Sequence, residues 1–325
     1  MTKAAELAKM GEVLTNSQIG GRRNIFINGA MQVFQRGTSF TNNGSAYNAD
    51  RWSVDDNQDG GGQSTDAPND FNFSLKINPG SGLNSALRQA IELPSAGEGG
   101  IFRSGQKFTL SFYLKSDNAG EAINIFAASG TSVTATTTSQ VNDTSTGLTT
   151  TTSWARYTYT FTSNNVGGSD TCYNIVPYVT TPSGAVYWTG FQLELGSQAT
   201  PFEHRSFGEE LELCQRYYFR INPTDSYQRY CYMSYTTATA AEGVLNFPTR
   251  MRTEPSFENT GTSTNYAIYI QGNVRAISSS LSIGAASGDD RITLTGNTSS
   301  GDTGVVGQFL ANNNTSAFIA FSAEL

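Results

Sequence analysis

The chain has 325 residues, of which 14% are charged, a formal net charge of -7 and a pI near 4.8. This length allows two or three domains with hydrophobic cores. The acidic balance argues against a nucleic-acid-binding protein, which needs a basic surface. Aromatic residues reach 11% and there are 33 glycines, a composition typical of β-sandwiches with many polar turns.

Residues 1–23 are predicted to form an attachment segment. Leu7, Met10 and Leu14 recur at the spacing of an amphipathic helix, and two glycines follow at 20 and 21. We expect a short helix that docks on a larger assembly or on another copy; a frayed arm is the alternative. The sequence contains neither a long apolar run nor the core of a signal peptide, which predicts synthesis in the cytoplasm.

Residues 24–205 show the alternation of half-buried antiparallel strands. Segments 71–77, 107–116, 154–161 and 191–195 place apolar and polar residues in turn, which gives one buried and one solvent-exposed face. Residues 131–152, almost wholly Ser, Thr, Asn and Gly, are predicted to be polar connections. Because no helical pattern interrupts the series, the segment favours an all-β sandwich over a parallel sheet.

Residues 206–220 are predicted to form a connecting helix. Ser206 and a glutamate three residues later have the spacing of a capping box. At about 13 residues such a helix is too short to be stable alone, so its apolar seam packs either on a partner chain or on the flanking sandwiches. The seam, at heptad spacing, consists of Phe207, Leu211, Cys214 and Tyr218.

Residues 221–325 are predicted to form a second, smaller β unit. Its strands are short, and Gly-Asn and Gly-Asp pairs between them indicate hairpins. The chain ends in a strand, and an unpaired strand edge promotes aggregation. A homotrimer that shares strands or packs faces would cover both that edge and the helix seam.

Few residues are suited to catalysis. The one histidine, His204, lies in the linker, which argues against a Ser-His-Asp triad or a histidine metal site. Glu203, His204 and Arg205 are instead expected to fix the module junction through an ion pair or bonds to the helix N-terminus. Glycoside hydrolysis by two carboxylates is the enzymatic alternative. Three widely spaced cysteines, expected to be buried as small hydrophobes, are Cys172, Cys214 and Cys231.

One stretch matches the spacing of a calcium loop. Calcium is the only cofactor that the sequence suggests. An aspartate stands where a bidentate glutamate is usual and no helical patterns flank the stretch, so an exposed loop is the alternative. The candidate ligands are Asp55, Asn57, Asp59 and Asp66, with Gly60 at the turn.

Aromatic residues are candidates for a sugar-binding face, because sugars stack their apolar side on flat rings. The positions of Trp52, Trp154 and Trp188 are more typical of a core. The later tyrosines are evenly balanced, with Tyr230 and Tyr232 predicted on one face of a strand. The glycan-binding candidates are Trp52, Tyr187, Trp188, Tyr227, Tyr230, Tyr232 and Tyr235.

Several longer motifs occur in a recognisable order. They are NIFINGAMQVFQRGTSF at 24–40, ADRW at 49–52, FTLSFYLKSD at 108–117, WARYTYTF at 154–161, VYWTGFQLELGSQATPFEHRSFGEELELCQRYY at 186–218 and the terminal FSAEL. The whole resembles the tail-fibre and receptor-binding proteins of tailed bacteriophages.

The resemblance implies a first module that is a jelly roll like those of carbohydrate-binding modules. It also implies a non-enzymatic homotrimer on the virion tail, joined to tail or adaptor proteins through residues 1–23 and released by host lysis. Its ligand would be a host polysaccharide or lipopolysaccharide, without nucleic acid or membrane insertion. The alternative is a structural head-decoration or cement protein of the virion.

Overall fold

The computed structural model describes residues 23–41, 46–54, 58–279 and 281–325. These residues form two compact units, one up to Glu210 together with Leu325 and the other from Leu211 to Glu324. The helix predicted around Leu7, Met10 and Leu14 lies outside the described residues.

The first unit is a β-sandwich of two six-stranded antiparallel sheets. Its strands are β1 (Ser39–Phe40), β2 (Ala46–Tyr47), β3 (Ser53–Val54), β4 (Gly60–Ser64), β5 (Ser74–Asn78), β6 (Ser85–Glu92), β7 (Lys107–Ser116), β8 (Ala122–Gly130), β9 (Thr138–Thr149), β10 (Ala155–Thr162), β11 (Cys172–Val179) and β12 (Val186–Leu195). The front sheet has the order β1-β4-β5-β12-β7-β10, and the back sheet has the order β2-β3-β6-β11-β8-β9.

The strands of this unit cross repeatedly from one sheet to the other. β5, β7, β10 and β12 lie in the front sheet, whereas β6, β8 and β11 lie in the back sheet. As a result β12 pairs with both β5 and β7, although neither is its neighbour in sequence. This is jelly-roll connectivity, and it confirms the all-β fold class and the expected architecture.

The core of the sandwich follows the predicted alternation. Leu75 and Ile77 of β5 are fully buried, as are Phe108, Leu110 and Phe112 of β7. The prediction for residues 131–152 was wrong in one respect, because they include the 12-residue strand β9. This edge strand takes its backbone partners from β8 and therefore needs little apolar surface of its own.

The segment after Arg23 is organised around the side chain of Asn28, which is fully buried. Its Oδ1 accepts hydrogen bonds from the backbone N–H groups of Gln32 (2.9 Å) and Val33 (3.0 Å). Its Nδ2 donates to the carbonyls of Val33 (2.9 Å) and Asp50 (3.0 Å). Asn28 also has a φ of 57°, a left-handed conformation that asparagine adopts more readily than most residues.

The backbone of Asn28 joins two further segments. Its N–H donates to Glu210 Oε1 at 2.5 Å, and its carbonyl accepts the indole N–H of Trp52 at 3.0 Å. Glu210 in turn forms a buried ion pair with Arg205 at 3.2 Å. The motifs at 24–40, 49–52 and 186–218 therefore meet in one buried network, which we call the Asn28 network.

The linker before the helix makes polar contacts with the start of the sandwich. Glu203 accepts a hydrogen bond from the N–H of Asn24 at 2.6 Å, and Arg205 donates to the carbonyl of Phe26 at 2.9 Å. The ring of His204 packs 5.3 Å from Phe71. The linker is thereby tied to the start of the sandwich.

The α-helix α1 (Phe207–Gln215) begins after Ser206, whose Oγ accepts the N–H of Glu209 at 3.3 Å. The N-cap role of Ser206 is confirmed, but the helix ends five residues before the predicted boundary, so Tyr218 lies on a strand. Cys214 and Tyr218 are buried within the chain, whereas Phe207 is 55% exposed. The predicted oligomer seam is therefore wrong as a continuous exposed stripe, because Cys214 and Tyr218 pack inside the protein and Leu211 is half-buried.

The second unit encloses one core between a three-stranded and a seven-stranded sheet, with the orders β13-β22-β16 and β18-β17-β21-β14-β15-β20-β19. Its elements are β13 (Tyr218–Ile221), β14 (Arg229–Tyr235), β15 (Ala240–Asn246), β16 (Ser256–Asn259), a 3-10 helix (Ser263–Asn265), β17 (Tyr266–Ile270), β18 (Asn273–Ala276), β19 (Ser282–Ile283), β20 (Arg291–Asn297), β21 (Val306–Ala311) and β22 (Ile319–Ser322). The terminal strand β22 pairs on both sides. Another copy of the chain is therefore not needed to cover it, contrary to the sequence-based argument.

Cys172 and Cys214 are buried, and Cys231 is partly buried. Burial raises the pKa of the Cys231 thiol to about 12. The burial of Cys172 and Cys214 confirms the prediction that they are interior residues. Among the described residues, the helix is neither long nor apolar enough to cross a membrane.

Candidate functional site

Two of the aromatic candidates belong to the core. Trp52 and Trp188 are completely buried, and their rings lie 4.5 and 5.9 Å from that of Phe191. Neither presents a ring face to solvent, so their proposed part in sugar binding is wrong. The core interpretation of these two tryptophans is confirmed.

A row of four side chains crosses the outer face of the front sheet at one level. Strand register places Tyr187 of β12 opposite Lys76 of β5 on one side and opposite Lys115 of β7 on the other. Trp154 immediately precedes β10 and extends the row past Lys115, since the next residue, Ala155, pairs with Leu114. Neighbouring strands lie about 4.8 Å apart, so the row is about 14 Å long. We call Lys76, Tyr187, Lys115 and Trp154 the lysine–aromatic row.

The side chains of the row contact one another. Lys76 Nζ lies 5.5 Å and Lys115 Nζ 5.1 Å from the ring centre of Tyr187, within the range of cation–π attraction. The rings of Trp154 and Tyr187 are 6.5 Å apart at an interplanar angle of 73°. All four side chains are partly exposed. The row therefore offers aromatic surface beside hydrogen-bond donors.

Asp66 reaches this row from the segment between β4 and β5. Its Oδ1 accepts the indole N–H of Trp154 at 2.9 Å, and its Oδ2 forms an ion pair with Lys115. The hydrogen bond from Lys115 holds the pKa of Asp66 below its ordinary value, and the same bond raises the pKa of Lys115. Both groups are therefore charged near neutral pH.

Next to Lys76 the row opens into a groove of about 350 Å³ over β4 and β1. The floor consists of glycines, because the strands approach too closely for side chains. A Cβ on Gly62 would lie 2.2 Å from the carbonyl oxygen of Thr38, and the φ of Gly62 is 153°. The groove walls carry the polar side chains of Asp59, Gln63 and Asn78. Row and groove together form one continuous polar and aromatic surface.

The rest of this sheet face is covered by the linker. Gln192 and Glu194 of β12 were predicted to face solvent, but both are buried. Thr200 donates its backbone N–H to Glu194 at 3.0 Å, and Glu203 donates its own to Gln192 at 2.7 Å. The accessible part of the face is therefore the end that carries the row and the groove.

The described residues do not form the predicted calcium loop. Strand β4 separates Asp59 from Asp66, and its five extended residues span about 16 Å, far more than two ligands of one cation allow. Asp55 and Asn57 lie outside the described residues. Within the part of the chain that the structure describes, no three acidic, histidine or cysteine side chains form a metal-binding group. Calcium binding through Asp55 and Asn57 stays a prediction.

The four tyrosines of the second unit do not share one environment. Tyr230 and Tyr235 are buried, whereas Tyr227 is 45% and Tyr232 67% exposed. The sequence placed Tyr230 and Tyr232 on one face, but an irregularity in the pairing of β14 with β21 falls between Arg229 and Cys231. A β-bulge of this kind reverses the side of the sheet on which a residue lies. Of Tyr230 and Tyr232, therefore, Tyr232 faces outward and Tyr230 faces inward.

Tyr232 belongs to an exposed apolar face of the seven-stranded sheet. Register places Tyr232 opposite Gln308, Gln308 opposite Tyr269, and Tyr269 opposite Val274. Val306 pairs with Ser234, and Val244 pairs with Thr293. Each of these partners lies between two buried residues of its strand, so both valines lie on the outer side of the sheet with Tyr232. We call this the valine–tyrosine face; it consists of Tyr232, Val244, Tyr269, Val274 and Val306, all exposed by more than a third.

No protein-family profile matches the chain, and no curated protein matches it. A protein described as sugar binding from Bacteroides thetaiotaomicron is 12% identical with a TM-score of 0.36, over 53% of this chain and 100% of its own. The CBM22-1 xylan-binding domain from Paenibacillus barcinonensis is 12% identical with a TM-score of 0.32, over 50% of this chain and 94% of its own. The enzymatically active domain of tailspike protein 4 of bacteriophage CBA120 is 15% identical with a TM-score of 0.32, over 54% of this chain and 22% of its own. These TM-scores lie below 0.5, so the similarities carry no argument about ligand or activity.

Proposed function

We propose that the protein binds a glycan, without cleaving it, along the lysine–aromatic row and the adjoining groove. The observation that carries this proposal is the row itself, in which Tyr187 and Trp154 lie at one level of the sheet with two lysines. Sugars need aromatic surface for their C–H faces and polar groups for their hydroxyls. The groove supplies the second requirement through Asp59, Gln63 and Asn78.

The carboxylates near this surface favour binding over hydrolysis. A glycosidase uses two carboxyl groups about 5 to 9 Å apart as acid and as base or nucleophile. Both oxygens of Asp66 are engaged, by Lys115 and Trp154. Asp59 lies at the other end of β4. A pair poised for hydrolysis is therefore not formed by these two residues.

The sequence resemblance supports the finer form of this proposal, a receptor-binding tail fibre on a phage virion. Its ligand would be a host polysaccharide or lipopolysaccharide, and its partners at the particle would be tail or adaptor proteins that contact residues 1–23. Antibody labelling of virions distinguishes this from a decoration or cement protein. Labelling at the tail supports a fibre, and labelling at the head contradicts it.

The binding experiment can use intrinsic fluorescence. The chain has three tryptophans, and Trp52 and Trp188 are completely buried, so an accessible quencher or ligand reports on Trp154. We expect host polysaccharide to shift the emission of Trp154 and to protect it from acrylamide, with saturation. A saturable response with host glycan and none with an unrelated polysaccharide supports the proposal. The proposal is contradicted if host glycan causes no change in fluorescence and calorimetry detects no binding.

We further propose that the protein is a homotrimer and that the valine–tyrosine face lies in its interface. Contiguous exposed apolar surface commonly marks contacts between proteins. Replacing Tyr232 with lysine is expected to shift the protein from trimer to monomer in light scattering, because a buried charge without a partner opposes association. The control is Thr144→Lys, which adds the same charge at an exposed position of β9. A Tyr232→Lys protein that stays trimeric would remove this face from the interface.

A further inference from the structure

Asp66 is fixed at a point where the chain leaves β4 for β5. Its backbone N–H donates to Ser64 Oγ at 3.1 Å, and its carbonyl accepts a hydrogen bond from Ser74 Oγ at 2.6 Å. Ser64 and Ser74 are themselves directly paired across the sheet. The backbone of Asp66 is therefore tied to both strands.

The carboxylate of Asp66 joins two members of the lysine–aromatic row that come from different strands. One oxygen holds the indole N–H of Trp154 and the other holds the ammonium group of Lys115. An indole has a single N–H, so this bond fixes the orientation of the ring in its own plane. Trp154 lies outside β10 and has no ladder register of its own to set its position.

We infer that Asp66 is a positioning residue, which orients Trp154 and Lys115 as one unit for ligand binding. This rests on the proposed function, since the ligand is the glycan proposed for the row. The orientation of Trp154 by Asp66 does not depend on any ligand and can be tested without one. The sequence had suggested Asp66 as a calcium ligand; in the structure its two oxygens serve an indole and an ammonium group instead.

The charges around Asp66 determine how pH affects this arrangement. Lys115 pairs with it directly, Asp117 acts electrostatically on Lys115, and Lys76 lies beyond the ring of Tyr187. The pKa of Asp66 lies below its ordinary 3.8. A carboxylate with a depressed pKa keeps its bonds above its ordinary pKa and loses them as the pH falls through the depressed value. The ion pair between Asp66 and Lys115 is therefore expected to persist from neutral pH down to about 3.8 and to weaken only in stronger acid.

The test without ligand compares Asp66→Ala and Asp66→Asn with the intact protein by fluorescence anisotropy and acrylamide quenching of Trp154. In Asp66→Ala the indole loses its acceptor, so anisotropy should fall and quenching should rise. In Asp66→Asn the amide oxygen can still accept the indole N–H, so both values should stay closer to those of the intact protein. The control is Asp289→Asn, which removes a comparable exposed ion pair with Arg250 in the second unit. Unchanged anisotropy and quenching in Asp66→Ala would overturn the inference.

The test with ligand uses short fragments of host polysaccharide at a temperature where every variant is folded. Asp66→Ala should weaken binding about tenfold, as expected for loss of charge-assisted hydrogen bonds, and Asp66→Asn should weaken it less. Asp289→Asn should bind like the intact protein. Equal affinity of Asp66→Ala and the intact protein would overturn the role in recognition. Absence of binding by the intact protein would instead contradict the proposed function, while the measurements without ligand still decide whether Asp66 positions Trp154.

Discussion

Replacing Asn28 with alanine is expected to lower the free energy of unfolding of the first unit by about 3 to 5 kcal/mol. The substitution removes four hydrogen bonds of a fully buried side chain, to Gln32, Val33 and Asp50. It leaves two N–H groups and two carbonyls without these partners, and each buried unsatisfied group costs about 1 to 3 kcal/mol before relaxation. It also forces alanine to a φ of 57°, which asparagine tolerates better.

Two further variants separate these contributions. Asn28→Gly removes the same hydrogen bonds but accepts the positive φ, so it should be more stable than Asn28→Ala by about 1 kcal/mol. Asn28→Asp keeps the acceptor for Gln32 and Val33 and loses the two donors. Urea unfolding can be followed through the buried tryptophans, one of which, Trp52, donates to the carbonyl of Asn28. An Asn28→Ala protein with the midpoint of the intact chain would show that the network contributes little.

The Asn28 network also explains part of what the sequence motifs do in this chain. Asn28, Trp52, Arg205 and Glu210 come from three of the motifs, and they contact one another inside the first unit. A Cβ on Gly29 would lie 2.2 Å from the carbonyl oxygen of Phe191, so glycine is required there by close packing. These four residues stabilise the sandwich. The proposed ligand surface also draws on the motifs, since Lys115, Trp154 and Tyr187 lie in those at 108–117, 154–161 and 186–218.

Local patterns were sufficient to predict several strands of the first unit and their buried faces. The period of two in 107–116 identifies β7 and its inward residues, because each strand needs one apolar face. The pattern also predicted that Gln192 and Glu194 would be exposed to solvent. This was wrong because the linker covers them. Sequence periodicity does not show which later segment returns to cover a face.

The candidate site depends on strand order, which the sequence did not provide. Lys76, Tyr187 and Lys115 are far apart in sequence and become neighbours only because β12 lies between β5 and β7. Trp154 was assigned to the core by its strand-like surroundings, yet it precedes the strand and is partly exposed. Conversely, the bulge in β14 turned Tyr230 inward. The sequence did contain a signal for the site, in lysines that lie near aromatic residues. Only the strand order, however, shows that these residues are neighbours in space.

The removal of the Trp154 ring is expected to cause the largest loss of glycan binding. Trp154→Ala should weaken the binding of short polysaccharide fragments by about 2 kcal/mol, or roughly 30-fold, as for other tryptophans central to an interface. Trp154→Phe keeps a ring but loses the N–H to Asp66, so it should retain part of the affinity. Because Trp154 itself is removed, calorimetry replaces fluorescence, and short fragments prevent avidity from masking the loss.

The matched control for this loss is Tyr232→Ala, which removes an exposed ring from the second unit. If the row binds the ligand, Tyr232→Ala should keep the affinity of the intact protein for short fragments, and Tyr187→Ala should weaken it as Trp154→Ala does. The reverse result, with Tyr232→Ala impaired and Trp154→Ala intact, would move recognition to the valine–tyrosine face. That outcome would also require a different trimer contact, because one face cannot be buried between copies and open to a glycan. Affinity measurements on these three variants therefore decide which sheet face binds the glycan.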